Sequence, residues 1–344
     1  MNEKMKAAVL YGPYNMAVED VDKPKVDAGE VLVKVRATGI CGTDVETYHG
    51  KYPVKYPIIM GHEAAGEVVQ VGEKVEKVSV GDKVVIDPIF HCGKCYLCLM
   101  GKRNLCINGG LLGRDIGSGA YAEYTVLPEN YVFKIPDNIS YEEASMIQLL
   151  TTVYHSQKRI RIIPNNSIAI LGQGAAGLLH TRLAKLSGGK PVMVTARSDW
   201  KLELAKKYGA DITINSKIED PVRAILENTN GRGADVVIEA VGSLETFKQA
   251  INAVRPGGTI LSFGVLTEQI NGLSLFPLYF KELQIIGSRA STSDDYEPCI
   301  RLVAEGAVYV KPLITHTFEL EKIKEGFELI EKHPGNVLRA VVKL

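Results

Sequence analysis

Three groups of residues in this 344-residue chain have the types and spacing to do chemistry. The first is Cys92-Gly93-Lys94-Cys95-Tyr96-Leu97-Cys98, a CxxCxxC run closed by a fourth cysteine, Cys106. Four thiolates with no open position suit a closed tetrahedral zinc site of structural type. Four cysteines also suit an iron–sulfur cluster, and cysteines can be buried together by chance; the Gly93-Lys94 turn and the polar loop favour zinc. The second group is dispersed: Cys41-Gly42-Thr43-Asp44 and Gly61-His62-Glu63. Taken singly, a cysteine or histidine in a β-rich region is more often core than ligand.

The third group is Gly172-Gln173-Gly174-Ala175-Ala176-Gly177. It follows the apolar run Ser167–Leu171 and precedes a helical run from Leu178 to Lys185, the strand–turn–helix context that gives a GxGxxG match its meaning. Gly172 allows the tight turn, Gly174 lets the backbone approach a pyrophosphate, and Gly177 lets the helix lie against its strand. Ala175 opens the helix whose N-terminus faces the anion. The pattern predicts a dinucleotide site. About 20 residues further on, an acid normally takes the adenosine ribose hydroxyls and selects NAD. Here Ala196 stands in that place, with Arg197 and Ser198 beside it. Without the carboxylate, a 2′-phosphate meets room and a guanidinium. NADP is therefore expected in preference to NAD, although Arg197 alone could be a solvated loop arginine.

These groups need elements to position them. Up to about Val126 the chain reads as short strands broken by Gly and Pro, with Val31, Val33 and Val35 alternating and further strands at residues 66–71 and 83–86. Ser140 followed by Glu143 is a capping box opening a helix that runs on through Ile147 and Thr151. From Ser167 strands alternate with helices: 168–171, 192–195, 212–214, 235–239, 259–263 and 283–286 are the expected strands. Repeated βα units imply a parallel sheet with right-handed crossovers. After Ser288 a helix from about Asp294 to Glu305, another over 323–332 and a strand over 337–342 remain. That is a small core to stand alone, so the tail is expected to return to the first domain. The expected division is 1–151 with 289–344, and 152–288.

Composition is that of an ordinary globular enzyme, 46% hydrophobic and 23% charged. Lys plus Arg and Asp plus Glu both total 40, so charge gives no reason to expect nucleic acid or membrane as partner. No run reaches the ~18 apolar residues of a membrane span, and Met1 to Lys6 lacks a secretory core. Cysteines clustered without a leader point to metal in a reducing cytoplasm.

In this order, the Cys41 and His62 motifs, the four-cysteine lobe and the Gly172/Gly174/Gly177 fingerprint resemble the zinc-containing medium-chain alcohol and polyol dehydrogenases over essentially the whole chain. The resemblance implies a GroES-like β-rich catalytic domain plus a Rossmann doubly wound parallel-sheet domain. It also implies two zinc ions per chain, a secondary alcohol, polyol or sugar alcohol as substrate, and a homodimer or homotetramer. By it Cys41 and His62 ligate the catalytic zinc, Glu63 is a direct or intermittent ligand, Asp44 orients His62, and Thr43 connects the reacting oxygen to a proton path. Thr152 would lie near the nicotinamide and Arg339 near the pyrophosphate; otherwise they read as a helix hydroxyl and a surface charge. There are two departures. Gln148 stands where a carboxylate is the usual remaining zinc ligand, and Glu46 stands where a relay histidine is often found, with His49 out of register. Rival readings are a threonine-type or simple-alcohol enzyme, and a nucleotide-binding sensor that lost catalysis.

Overall fold

The computed structural model describes residues 3–267, 269, 273–333 and 335–344, and the chain divides into two compact units, 1–151 with 291–344, and 152–290. In the first unit a seven-stranded sheet is ordered Val132–Lys134, Lys83–Ile86, Glu63–Val71, Glu30–Gly39, Arg339–Lys343, Ile314–Glu319, with Tyr124–Pro128 also paired to Glu30–Gly39. The β-branched residues expected to alternate do so against a core: Val31, Val33 and Val35 are buried with Val68, Val84 and Ile86. Leu32, on the opposite face, is buried as well.

The tail, residues 291–344, lies in the first unit. Arg339–Lys343 pairs antiparallel with Glu30–Gly39, Val341 opposite Gly39, and parallel with Ile314–Glu319. The helix Ile323–Lys332 buries Ile323 and Phe327 against Tyr48, Tyr121 and Val342. Strand pairing also aligns three chain segments at one end of the sheet. Gly39 lies opposite Glu63, and Ile40 N–H donates to the Ala340 carbonyl at 2.9 Å. The residue after Ile40, the residue before Glu63 and the residue before Ala340 are therefore neighbours by register.

In the second unit six parallel strands are ordered Ile212–Asn215, Val192–Ala196, Ile168–Leu171, Ala234–Glu239, Val254–Ser262, Gln284–Gly287. This is the doubly wound order, reversing between the third and fourth strands of that list. Ile168, Val192, Val236 and Ile260 and their neighbours are buried from both faces, which is why these strands read as continuous apolar runs. Several bounds differ from the expected ones by a few residues. The fifth strand begins five positions earlier than expected, at Val254, because a register shift lets Val254 pair with Ala234 ahead of the Val236–Thr259 pair.

The Ser140 capping box is present, its hydroxyl accepting from Glu143 N–H, but the helix it opens ends at Ser145 and a second one, Ile147–Lys158, follows. Among the elements that sequence reading missed are the strand Ile314–Glu319 of the returning tail and the helix Gly42–Tyr48. The N-cap of this helix is Cys41, and Asp44 at the third helical position reaches back to Cys41 N–H at 3.1 Å.

Candidate functional site

The four cysteines of the lobe converge. One ligand atom from each of Cys92, Cys95, Cys98 and Cys106 lies within 4.8 Å of all the others. Sulfur separations are 3.4 Å for Cys95–Cys98, 3.5 Å for Cys92–Cys106 and 3.8 Å for Cys95–Cys106. Zinc–sulfur bonds of about 2.3 Å in a tetrahedron require about 3.8 Å between sulfurs, so the cage has the right size. Backbone N–H groups of Lys94 and Cys95 lower the Cys92 thiol to about 6, whereas burial and the neighbouring thiols push Cys98 up to about 12. Four sulfurs this close can all be thiolates only around a cation. Tyr96, Leu99, Met100 and Ile107 remain exposed, so the lobe has little apolar core of its own.

The dispersed group also converges. Cys41, His62 and Glu63 each offer a ligand atom within 4.8 Å of the other two. Cys41 follows strand Glu30–Gly39, and Glu63 starts strand Glu63–Val71, with His62 immediately before it. His62 and Glu63 are buried, while Cys41 is half-buried. Neither carboxylate oxygen of Glu63 has a hydrogen-bond partner; Arg339 Nη2 is 3.4 Å from Oε1, an ion pair without hydrogen-bond geometry. A buried carboxylate so placed calls for a cation.

The charges around the site give the same answer. Burial works against a protonated His62, yet Asp44 and Cys41 raise its pKa well above the ordinary histidine value. Burial likewise opposes the Arg339 charge, and Glu63 and Cys41 more than offset it. Asp44 is fully buried; burial would raise its carboxyl, but His62, the Tyr121 hydroxyl and Cys41 N–H hold it below the usual range. Asp44 Oδ1 is 3.3 Å from His62 Nδ1. That contact leaves Nε2 of His62 for a metal, the arrangement ligating histidines use. Thiol, imidazole and carboxylate donors in a pocket that favours positive charge fit zinc.

Other residues singled out in the sequence have different surroundings. Glu46 is not drawn into the cluster: it pairs with Lys51, 2.8 Å from Nζ, on the outer side of the Gly42–Tyr48 helix. His49 stacks on Tyr14 and faces Glu331 at 3.7 Å, so it does not replace Glu46 there. Gln148 is buried in the first turn of Ile147–Lys158, where its carbonyl accepts from Thr151 Oγ1 at 2.7 Å. The Thr43 carbonyl accepts from Thr47 Oγ1, and Thr43 is half-buried on the helix that Cys41 caps. Thr152 is half-buried in the second unit. Arg339, expected near a pyrophosphate, is buried in the first unit, with Nη1 donating to the Ile40 carbonyl at 3.0 Å and Nη2 beside Glu63. Strand register decides this, since Arg339 precedes Ala340, which is bonded to Ile40.

The glycine-rich turn has the geometry its sequence demands. Gly172 has φ +95°, and a Cβ there would meet Val241 Cγ2 at 2.5 Å. A Cβ on Gly177 would sit 2.0 Å from the Gly172 carbonyl, whereas Gly174 faces open space, where a ligand can approach. Gly174 caps the helix Ala175–Leu186 without a side-chain hydrogen bond, leaving its first N–H groups for an anion. Gln173 is buried and accepts from Thr181 Oγ1 at 3.0 Å, pinning the turn. At the end of the next strand Ala196 is buried and Arg197 exposed, and Ser198 caps the helix Asp199–Lys207. Asp199, the next acid in the chain, is engaged by Asn215 Nδ2 at 2.6 Å. Lys201 was not singled out from sequence; its pKa is lowered by burial and by Arg197, which places a second cation beside the first.

The chain matches two family models, the alcohol dehydrogenase GroES-like domain over residues 27–137 and the zinc-binding dehydrogenase over residues 175–305. It is 34% identical to sorbitol dehydrogenase of Bacillus subtilis (strain 168), covering 99% of this chain and 97% of that one. It is 38% identical to L-threonine 3-dehydrogenase of Pyrococcus horikoshii, over 96% of each. Among solved structures, a Sinorhizobium meliloti 1021 protein described as a zinc-binding dehydrogenase and bound to NADP superposes with a TM-score of 0.93 at 33% identity, covering 100% of both chains.

Proposed function

The chain belongs to the zinc-containing medium-chain alcohol and polyol dehydrogenases, and on that premise we propose that it transfers hydride between NADP(H) and a secondary alcohol, polyol or sugar alcohol and its ketone. The observation that carries the reading is the convergence of Cys41, His62 and Glu63, with both Glu63 oxygens buried and without hydrogen-bond partners. Cys41, His62 and Glu63 hold the catalytic zinc, and Gln148 stands where a further ligand would be. Zinc at that position supplies a Lewis acid that makes an alcohol oxygen acidic at neutral pH.

This chain's residues do the rest. Asp44 accepts from His62 Nδ1–H and fixes the tautomer that ligates through Nε2. Thr43, on the helix capped by Cys41, is the hydroxyl assigned to pass the substrate proton outward. Glu46 bound to Lys51 is a poor relay, since that pairing already satisfies its carboxylate. Cys92, Cys95, Cys98 and Cys106 hold a second, structural zinc. Gly172, Gly174, Ala175 and Gly177 receive the pyrophosphate, and Thr152 belongs to the nicotinamide side. Arg339 is better read as the counter-ion of Glu63 than as a phosphate ligand.

NADP preference rests on Ala196 in the acid position, on Arg197 and Ser198 beside it, and on Asp199 held by Asn215. Ala196→Asp combined with Arg197→Ile is expected to move kcat/KM preference toward NAD. Equal efficiency with both cofactors, unchanged by the pair, would reject the assignment. A panel of polyols, sugar alcohols, amino alcohols including threonine, and short secondary alcohols decides the substrate class. The threonine-type reading is favoured by the 38% identity to a threonine dehydrogenase.

A homo-oligomer is part of the same proposal. Leu275, Phe276, Tyr279 and Phe280 are exposed on and beside the helix Phe276–Phe280, while Leu278 packs inward. Lys281 Nζ donates to the carbonyls of Ile251 and Val254, tying the end of this helix to the unit's body. The adjacent strand Gln284–Gly287 is at the sheet edge, with one partner strand among the described residues. An open edge beside an apolar face is self-complementary about a two-fold axis, which suits a second copy. Light scattering is expected to give a dimer or tetramer that Phe280→Asp dissociates. The cysteine chemistry suits a reducing cytoplasm, and no helix among the described residues is long and apolar enough to cross a membrane.

A further inference from the structure

Tyr121 is fully buried, and its role in the core would be met by phenylalanine. Its ring packs in the cluster that holds Tyr48, Met60 and Phe327, edge-on to Phe327 at 6.1 Å between ring centres. The hydroxyl is another matter. A buried phenol needs a partner, and the nearest is not a backbone carbonyl but Asp44 Oδ2, at 2.8 Å; the Gly39 carbonyl is 3.3 Å away.

This bond settles how Asp44 is oriented. Oδ2 accepts from Cys41 N–H at 3.1 Å as well as from Tyr121, so it is saturated. Oδ1 is left facing His62 Nδ1 at 3.3 Å. The ring also abuts the peptide that leads into His62. Gly61 has φ +93°, and a Cβ there would lie 2.7 Å from Tyr121 Cδ1. Tyr121 N–H donates to the Met60 carbonyl at 2.9 Å. One side chain therefore restrains the carboxylate that holds His62 and the backbone from which His62 projects.

We propose that Tyr121 is a positioning residue for the Cys41–His62–Glu63 metal site, acting through its hydrogen bond to Asp44. The proposal rests on the metal-binding reading of that site. Groups that orient metal ligands from behind typically cost 10- to 100-fold in affinity when removed, and Tyr121 stands one bond further out, so the lower end, about tenfold, is expected.

The test is a zinc competition titration against a chelator on the full chain, with the four-cysteine zinc as internal reference. Parent, Tyr121→Phe, Asp44→Asn, the double variant and His62→Ala are compared. His62→Ala is expected to abolish the weaker zinc while the lobe keeps its own; if both zincs remain, the metal-binding reading itself fails. Given that loss, Tyr121→Phe is expected to weaken the same zinc about tenfold in the parent background. It is expected to change it less than about twofold in Asp44→Asn, because residues acting through one contact are not additive. Affinity unchanged within twofold by Tyr121→Phe overturns the inference. So does a tenfold loss that persists in Asp44→Asn, because Tyr121 would then act by packing alone.

Discussion

In the lobe, four thiols come from one loop, Cys92 to Cys106, and bond one another's backbone N–H groups, Cys92 N to Cys106 Sγ at 3.2 Å and Cys95 N to Cys92 Sγ at 3.4 Å. The other ligand cluster is assembled from two strand ends, and the groups behind it are more distant still. Tyr121 reaches Asp44 across 77 positions and Arg339 reaches Ile40 across 299. The first cluster has little apolar core around it, so a metal held by its four thiolates would be what fixes the loop. The second has a core around it already, including Tyr48, Tyr121, Phe327 and Val342, so packing places the backbone that carries its ligands. A closed local site contributes folding free energy, whereas a site built on strand ends takes its geometry from the fold and leaves the metal's binding capacity for reaction.

The sharpest way to break that contrast is a pair of cysteine substitutions. Cys41→Ser should lower kcat/KM by about a thousandfold or more, since a Lewis acid supplies several kcal/mol and each 1.36 kcal/mol is tenfold. Circular dichroism and the thermal midpoint should stay near the parent. Cys95→Ser should do the reverse in kind: loss of the lobe zinc by elemental analysis and a marked fall in thermal midpoint, with activity lost through unfolding. Equal destabilisation by both substitutions would erase the distinction between the two sites.

A smaller effect is expected from Gln148→Glu. A carboxylate at that position adds negative charge to the site, so the weaker zinc should be held more tightly. The rising limb of the pH–rate profile should move to higher pH, because added negative charge makes the reacting oxygen less acidic. If neither zinc affinity nor the profile changes, Gln148 points away from the metal.

The smallest effect tests how the lobe joins its unit. Asp87 sits where the chain enters the lobe, accepting from Ile89 N–H at 2.9 Å and from Ser293 Oγ of the returning tail at 2.7 Å. Burial pushes its carboxyl up to about 7; the Ile89 and Ser293 bonds oppose this and Asp295 adds to it. With the folded value above the unfolded one, Asp87's share of stability is full below about pH 4 and is lost as pH rises through about 7. The thermal midpoint of Asp87→Asn minus that of the parent should therefore rise between about pH 5 and pH 8. A flat difference across that range would show that Asp87 does not titrate there.

Local patterns were legible because each carries its own cause in a few consecutive residues. The CxxCxxC run closes on itself, the Ser140–Glu143 pair is a capping box, and the Gly172 turn needs a positive φ and close approach that only glycine permits. Alternating runs predicted the strands, and their order along the chain predicted a doubly wound sheet. Tertiary structure decided what depends on register between distant strands. Because Gly39 pairs with both Glu63 and Val341, Cys41, His62 and Arg339 meet at one end of a sheet. No spacing in the sequence encodes that pairing, which is why the Arg339–Glu63 contact could not be read from it. Tyr121, in Ala120-Tyr121-Ala122, was not singled out from the sequence, and its hydroxyl acquires a purpose only when folding sets it 2.8 Å from Asp44. Nor does the sequence show that the turn after the Gly42–Tyr48 helix brings Lys51 to 2.8 Å from Glu46.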